Sequence, residues 1–89
     1  MASLKKLRDQ IDRLDEQLLK LLNERGHLVE AIGKLKEKNS QSVFVPSREQ
    51  SLLQRLKRLN RGPLSDEGLR ELYVEVLDLT KREVGRQEG

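Results

Sequence analysis

Residues 4–38 read LKKLRDQIDRLDEQLLKLLNERGHLVEAIGKLKEK, and this stretch decides the fold. Counted in sevens it yields two series: Leu4, Ile11, Leu18, Arg25, Ile32 and Leu7, Leu14, Leu21, Leu28, Leu35. Nine of the ten positions are aliphatic, the heptad signature of a helix that buries a narrow seam against another helix. The run holds no proline, so nothing in it breaks a single helix over about 4–38. At 1.5 Å per residue such a helix is about 50 Å long. A compact globule of this chain length has a radius of gyration of only about 12 Å. The helix therefore overhangs any core its own chain supplies, and the seam calls for a second long helix. The fold expected is all-α, with three helices per chain, the long one first, assembled as a homodimer.

The rest of the chain supports helices rather than sheets. Its 89 residues make one domain, 1–89, small enough that a single-chain core is marginal. Charged residues are 37% and aromatics 2% (Phe44 and Tyr73), which favours helices with solvated outer faces. Without cysteine there is no disulfide framework, thiolate chemistry or cysteine-held metal site. No apolar run reaches the length of a membrane span, and the opening MASLKKLRDQ lacks the apolar core of a signal peptide. A cytoplasmic protein with no membrane partner is expected. After the polar loop KNSQSV comes VPSREQ, where Ser47 and Gln50 form a capping-box pattern. A second helix over about 48–60 follows, on Leu52, Leu53, Leu56 and Leu59. The break RGPLSDEG offers Ser65 as the next N-cap, and a third helix over about 66–84 runs on Leu69, Leu72, Tyr73, Val76 and Leu77.

Each helix strands a polar residue on its apolar stripe, where burial is costly without a partner. Arg25 interrupts the seam, Glu49 heads the second stripe four before Leu53, and Thr80 continues the third. One account pairs Arg25 with Glu49 and bonds Thr80 to its own backbone. The other turns all three towards a ligand. Lys36 favours the second, because a lone ion pair leaves several donors unmet. Lys36 follows Arg25 by eleven residues, close to three turns and about 16 Å of rise, over a floor of Val29 and Ile32. Two long cations at that separation can grip the ends of a dianion the size of a sugar acid. Arg8 lies roughly 25 Å from Arg25 along the same helix, too far to join it. In an antiparallel two-fold dimer centred near Leu18, the partner's Arg8 comes beside residues 25–36. Two identical sites result, each drawing on both chains.

The stretches LRDQIDRLDEQLLKLLNERGHLVEAIGKLK, VPSREQSLLQRL and GPLSDEGLRELYVEVLDLTK resemble the all-helical (AroQ-class) chorismate mutases over nearly the whole chain. The resemblance rests on LRxxIDxxDxxLLxLLxER, GKxK and PxRE. It is nearest to the short mutase domains that stand alone or are fused to prephenate dehydratase or to the first enzyme of the shikimate pathway. It implies a dimer of three-helix chains with intertwined long helices. It also implies that Arg25 and the partner's Arg8 bind the two carboxylates of chorismate. Lys36 would donate to the ether oxygen and a carboxylate, and Glu49 would hold the ring hydroxyl. Arg48 precedes that glutamate as in the family, to line the site or pair with a neighbour. Thr80 stands for the family's usual serine and keeps the hydroxyl. Two positions depart from the pattern. Val45 stands where many members carry an aspartate at the ring hydroxyl. Val84 stands where the family has glutamine or glutamate donating a second hydrogen bond to the ether oxygen. Glu83 is adjacent but about 100° round the helix.

The implied reaction, chorismate to prephenate in Phe and Tyr biosynthesis, is an intramolecular pericyclic rearrangement. It needs no nucleophile, metal or cofactor. The substrate must be held in its compact diaxial form, which is catalysis by orientation. Charge developing on the ether oxygen must be met by fixed donors. Losing one donor costs about 3–4 kcal/mol by analogy with oxyanion holes, so Val84 points to a slow enzyme or a site that binds more than it catalyses. Three readings stand. The first is a mutase, with a lyase eliminating pyruvate from isochorismate as its variant. The second is a catalytically weak regulatory or interaction module of the same fold, cut from a fusion or working with a shikimate-pathway enzyme. The third is a plain helical dimer or basic nucleic-acid binder. The stranded Arg25, Glu49 and Thr80 count against the third, as does the lack of stacking aromatics. RLKRLNR accordingly reads as a solvated face and His27 as a surface residue. Gly26 and Gly33 each cost about 1 kcal/mol relative to alanine, which points to close approach of another helix.

Overall fold

The computed structural model describes residues 3–38 and 46–88, with side chains placed for 3–36 and 46–83. It holds three helices, α1 (Leu4–Lys38), α2 (Pro46–Leu59) and α3 (Asp66–Glu88), and among the described residues no strand. Ser3 caps α1: its hydroxyl accepts from the Lys6 amide at 3.1 Å and its carbonyl from the Leu7 amide at 3.0 Å. The heptads do not reveal this cap; the signal is a serine standing directly before Leu4.

α2 begins at Pro46, two residues before the expected start, and Ser47 lies inside the helix rather than capping it. Proline suits the first helical position because its φ is already helical and its missing N–H would have no partner there. Asn60 then turns the chain. Its Nδ2 donates to the Leu64 carbonyl at 2.8 Å and its Oδ1 accepts from the Gly62 amide at 3.1 Å. Gly62 sits at φ +76°, the left-handed region that favours glycine. Ser65 caps α3 as expected, with its hydroxyl accepting from the Gly68 amide and its carbonyl from the Leu69 amide, both at 2.9 Å. α3 runs to Glu88, beyond the expected end near 84. Gly85 weakens a helix without stopping it, and Arg86 and Gln87 are good helix formers.

α3 is the hub. It packs on both α1 and α2, while among the described residues α1 and α2 make no packing contact with each other. Among the described residues Leu69 and Leu77 are the buried hydrophobic ones, ringed by half-buried Leu52, Leu53, Leu56, Tyr73 and Val76. Leu59 and Leu72, expected on the stripes, are 62% and 49% exposed. Leu59 is the last residue of α2, and Leu72 falls about 60° from Leu69 on the flank away from Leu77.

α1 is the opposite case. All nine aliphatic seam positions lie open, from 42% exposure at Ile32 to 66% at Leu28. The chain exposes 7781 Å². A compact monomer of 10.3 kDa exposes about 5,400 Å². The radius of gyration is 16.3 Å, against the 12 Å or so of a compact chain this long. A Cβ built on Gly26 meets nothing within 4 Å, so the helix expected close to it does not come from this chain. α3 reaches α1 at the neighbouring Arg25 instead. His27 is exposed, its Nδ1 3.8 Å from Oε2 of Glu30, and Arg55, Lys57, Arg58 and Arg61 are exposed as expected of a solvated face. Among the described residues no helix is long and apolar enough to cross a membrane.

Candidate active site

Heptad phase brings Arg25 to the side of α1 that meets α3. The guanidinium is half-buried, and its Nη1 donates to Thr80 Oγ1 at 3.2 Å. Thr80 donates in turn to the Val76 carbonyl at 2.6 Å, one turn back, a common arrangement for a hydroxyl inside a helix. With its proton so committed, the oxygen is an acceptor towards Arg25. A guanidinium carries five N–H donors. The ion pairs between described residues include Lys5–Asp9, Lys20–Glu24, His27–Glu30 and Lys81–Glu49, and Arg25 is in none of these. Most of its donors are therefore unspent among the described residues.

Glu49 lies in the first turn of α2, where the helix dipole favours a carboxylate. Its Oε1 is 2.8 Å from Nζ of Lys81 on α3, and the two side chains are 25% and 35% exposed. Of the two accounts of the stranded residues, the backbone bond of Thr80 forms and the Arg25–Glu49 ion pair does not. Lys81 takes that carboxylate, and the sequence carries a signal for it. Lys81 follows the buried Leu77 by four residues, just as Thr80 follows Val76, so both continue rows of the apolar stripe. Consecutive residues of α3 thus hold Arg25 of α1 and Glu49 of α2.

Lys36 is half-buried on α1 and makes no hydrogen bond or ion pair to a described residue. Arg8 and Arg48 are exposed. Arg8, roughly 25 Å along α1 from Arg25, is not brought to the cluster within one chain. Val45 lies outside the described residues, and Val84 is described only as part of the α3 backbone. Arg25 and Thr80 both line an open groove of about 490 Å³ between α1 and α3, with Leu22, Val76 and Leu79 in its walls. No group of residues that could hold a metal ion occurs among those described.

Adjacent residues of α3 thus contact both other helices, Thr80 meeting Arg25 of α1 and Lys81 meeting Glu49 of α2, and Lys36 is a further half-buried cation on α1. Fold and contacts together define a three-helix protein that presents a half-buried arginine and a hydroxyl at an open groove. The chain belongs to the type II chorismate mutase family, whose pattern it matches over residues 7–84. A bifunctional chorismate mutase/prephenate dehydratase of Aquifex aeolicus is 41% identical over 81 residues, covering 86% of this chain and 22% of that protein. One of Neisseria gonorrhoeae is 44% identical over 70 residues, covering 79% and 19%. The chain spans about a fifth of the length of these curated relatives. A solved chorismate mutase (Form II) of Thermus thermophilus overlays it with a TM-score of 0.90 at 36% identity, covering 94% of this chain and 96% of that one.

Proposed function

We propose that this chain rearranges chorismate to prephenate, without metal or cofactor, as an antiparallel homodimer with intertwined long helices and two composite sites. The observation that carries the proposal is Arg25: a half-buried cation on an apolar seam whose partner among the described residues is a neutral hydroxyl. A guanidinium so placed is costly unless an anion completes it, and a substrate carboxylate does so bidentately. The partner's Arg8 takes the second carboxylate. Lys36 donates to the ether oxygen as negative charge gathers there, and Glu49 accepts from the ring hydroxyl. Arg48 lines the rim. Held at both ends, the substrate keeps the compact diaxial conformer, and the preorganised cations stabilise the polarised transition state.

The open seam of α1 supports the dimer, and family membership supports the substrate. A second reading, a catalytically weak module that works with another enzyme of the pathway, is favoured by Val84, which offers the ether oxygen no donor. The bifunctional relatives supply the type of partner, fused or separate. Loss of chorismate absorbance on adding the purified protein, with the product identified by proton NMR, tests the proposal. Prephenate is expected. Unchanged chorismate, or release of pyruvate from isochorismate alone, contradicts it.

A further inference from the structure

Lys81 has no part in the site as the family pattern draws it, yet it is the residue that holds Glu49. Its ammonium sits 2.8 Å from Oε1 of a carboxylate only 25% exposed, reaching from α3 to the first turn of α2. The preceding residue, Thr80, accepts from Arg25. Two opposite charges, Arg25 and Glu49, are therefore held by adjacent residues and kept in separate contacts. We infer that Lys81 is a positioning residue that fixes Glu49 for the ring hydroxyl and keeps it off Arg25, so that the site selects substrates bearing that hydroxyl. The inference rests on the proposed function and names the group that sets its specificity.

The chemistry requires such a group. A site for a dianion that also contains a bare carboxylate repels its own ligand. In the proposed site an unheld glutamate also competes with the substrate carboxylate for the guanidinium of Arg25. Lys81 removes both conflicts at once. It offsets the charge of Glu49, and by occupying Oε1 it leaves Oε2 to accept from the hydroxyl. A carboxylate has about four lone-pair positions, so one ammonium contact does not saturate it. Held at one oxygen, Glu49 also loses less rotamer freedom on binding, which favours affinity through preorganisation.

A merely structural lysine would affect every substrate alike, so the readout is selectivity. Steady-state kcat/KM is measured on chorismate and on the analogue lacking the ring hydroxyl. Both keep the two carboxylates and the ether that rearranges. In Lys81→Met, which retains the apolar stem, the preference for chorismate over the analogue falls by about tenfold or more, the scale of a charge-assisted hydrogen bond lost from a site. Lys81→Arg restores most of that preference. In the Glu49→Gln background, where no charge needs holding, Lys81→Met changes the preference by less than about threefold, because coupled residues are not additive. Helical circular dichroism confirms that each variant is folded, and Lys81→Gln, which also removes the charge, carries the test if Lys81→Met is not. Equal loss on both substrates, or an unchanged preference in Lys81→Met, overturns the inference while leaving the mutase reading intact. So does Lys81→Arg with no preference restored. A wild-type protein that converts neither substrate overturns the functional reading, and this inference with it.

Discussion

Leu18→Lys is the substitution that bears hardest on the architecture. Leu18 lies midway along the exposed seam, 53% open in the single chain, at the point where the proposed two-fold brings it against its own copy. Fully burying a leucine stabilises by about 1.5–3 kcal/mol, so covering the open half contributes about 1 kcal/mol per copy and about 2 kcal/mol per dimer. That loss alone weakens association about 30-fold. The substitution also sets two ammonium groups face to face in an apolar interface, at several kcal/mol per ion, carrying the weakening past about 10³-fold. The interface it attacks is large. The chain's excess of exposed surface over a compact monomer is about 2,400 Å², and covering it on both chains buries about 4,800 Å², within the obligate class. Sedimentation at micromolar concentration should give the wild type twice the 10.3 kDa chain mass. The variant should sediment as monomer with much of its helical circular dichroism lost, since Leu69 and Leu77 are the core it has left. The wild-type melting temperature should also rise with concentration. A monomeric wild type, or a monomeric variant with full helicity and an unshifted melt, would refute the reasoning.

Val84→Gln restores a neutral donor where the family pattern has one, and turnover should rise at least about tenfold, or about 1.4 kcal/mol of transition-state stabilisation. KM should change less, because the added bond forms mainly as charge develops; an unchanged rate in an already fast enzyme means another group serves the ether oxygen. Gly26→Ala enters space that is open within one chain but faces the helix expected from the partner, so it should lower stability, read as a lower melting midpoint in urea or heat. A rise of about 1 kcal/mol instead, the helix-propensity gain alone, would show that no helix of the partner comes close to Gly26. Ser65→Ala removes the acceptor for the Gly68 amide and should destabilise by about 1 kcal/mol, while Ser47→Ala, inside α2, should change stability by less than half of that.

How much of this was legible in the sequence differs from one element to the next. The ends of α1 were, because a heptad series without proline leaves little choice of phase or extent. The start of α2 was misplaced because Ser47 and Gln50 make a cap pattern that Pro46 pre-empts by beginning the helix two residues earlier than a serine cap requires. The tendency of Arg25 and Thr80 to seek partners was readable from polar residues on apolar rows, and they found each other. Glu49 was readable as needing a partner, and the protein partner weighed for it, Arg25, is not the one it takes. Lys81 was hidden by the charged residues after it, which make residues 81–83 look like a solvated end. Its four-residue spacing from Leu77 was the clue. Arg8 cannot be placed from one chain at all, because what brings it to the site is symmetry rather than local folding.

Subunit exchange between Arg8→Ala and Arg25→Ala proteins tests the composite cationic site most directly. Each homodimer lacks one of the two arginines at both sites and should be inactive on chorismate. A mixed dimer combines the intact Arg25 of one chain with the intact Arg8 of the other at one site, and both defects fall together at the second. Random exchange makes about half of the dimers mixed, so about a quarter of wild-type activity should return. Full inactivity after exchange has been verified by mass spectrometry, or an Arg8→Ala homodimer that is active by itself, would contradict the account.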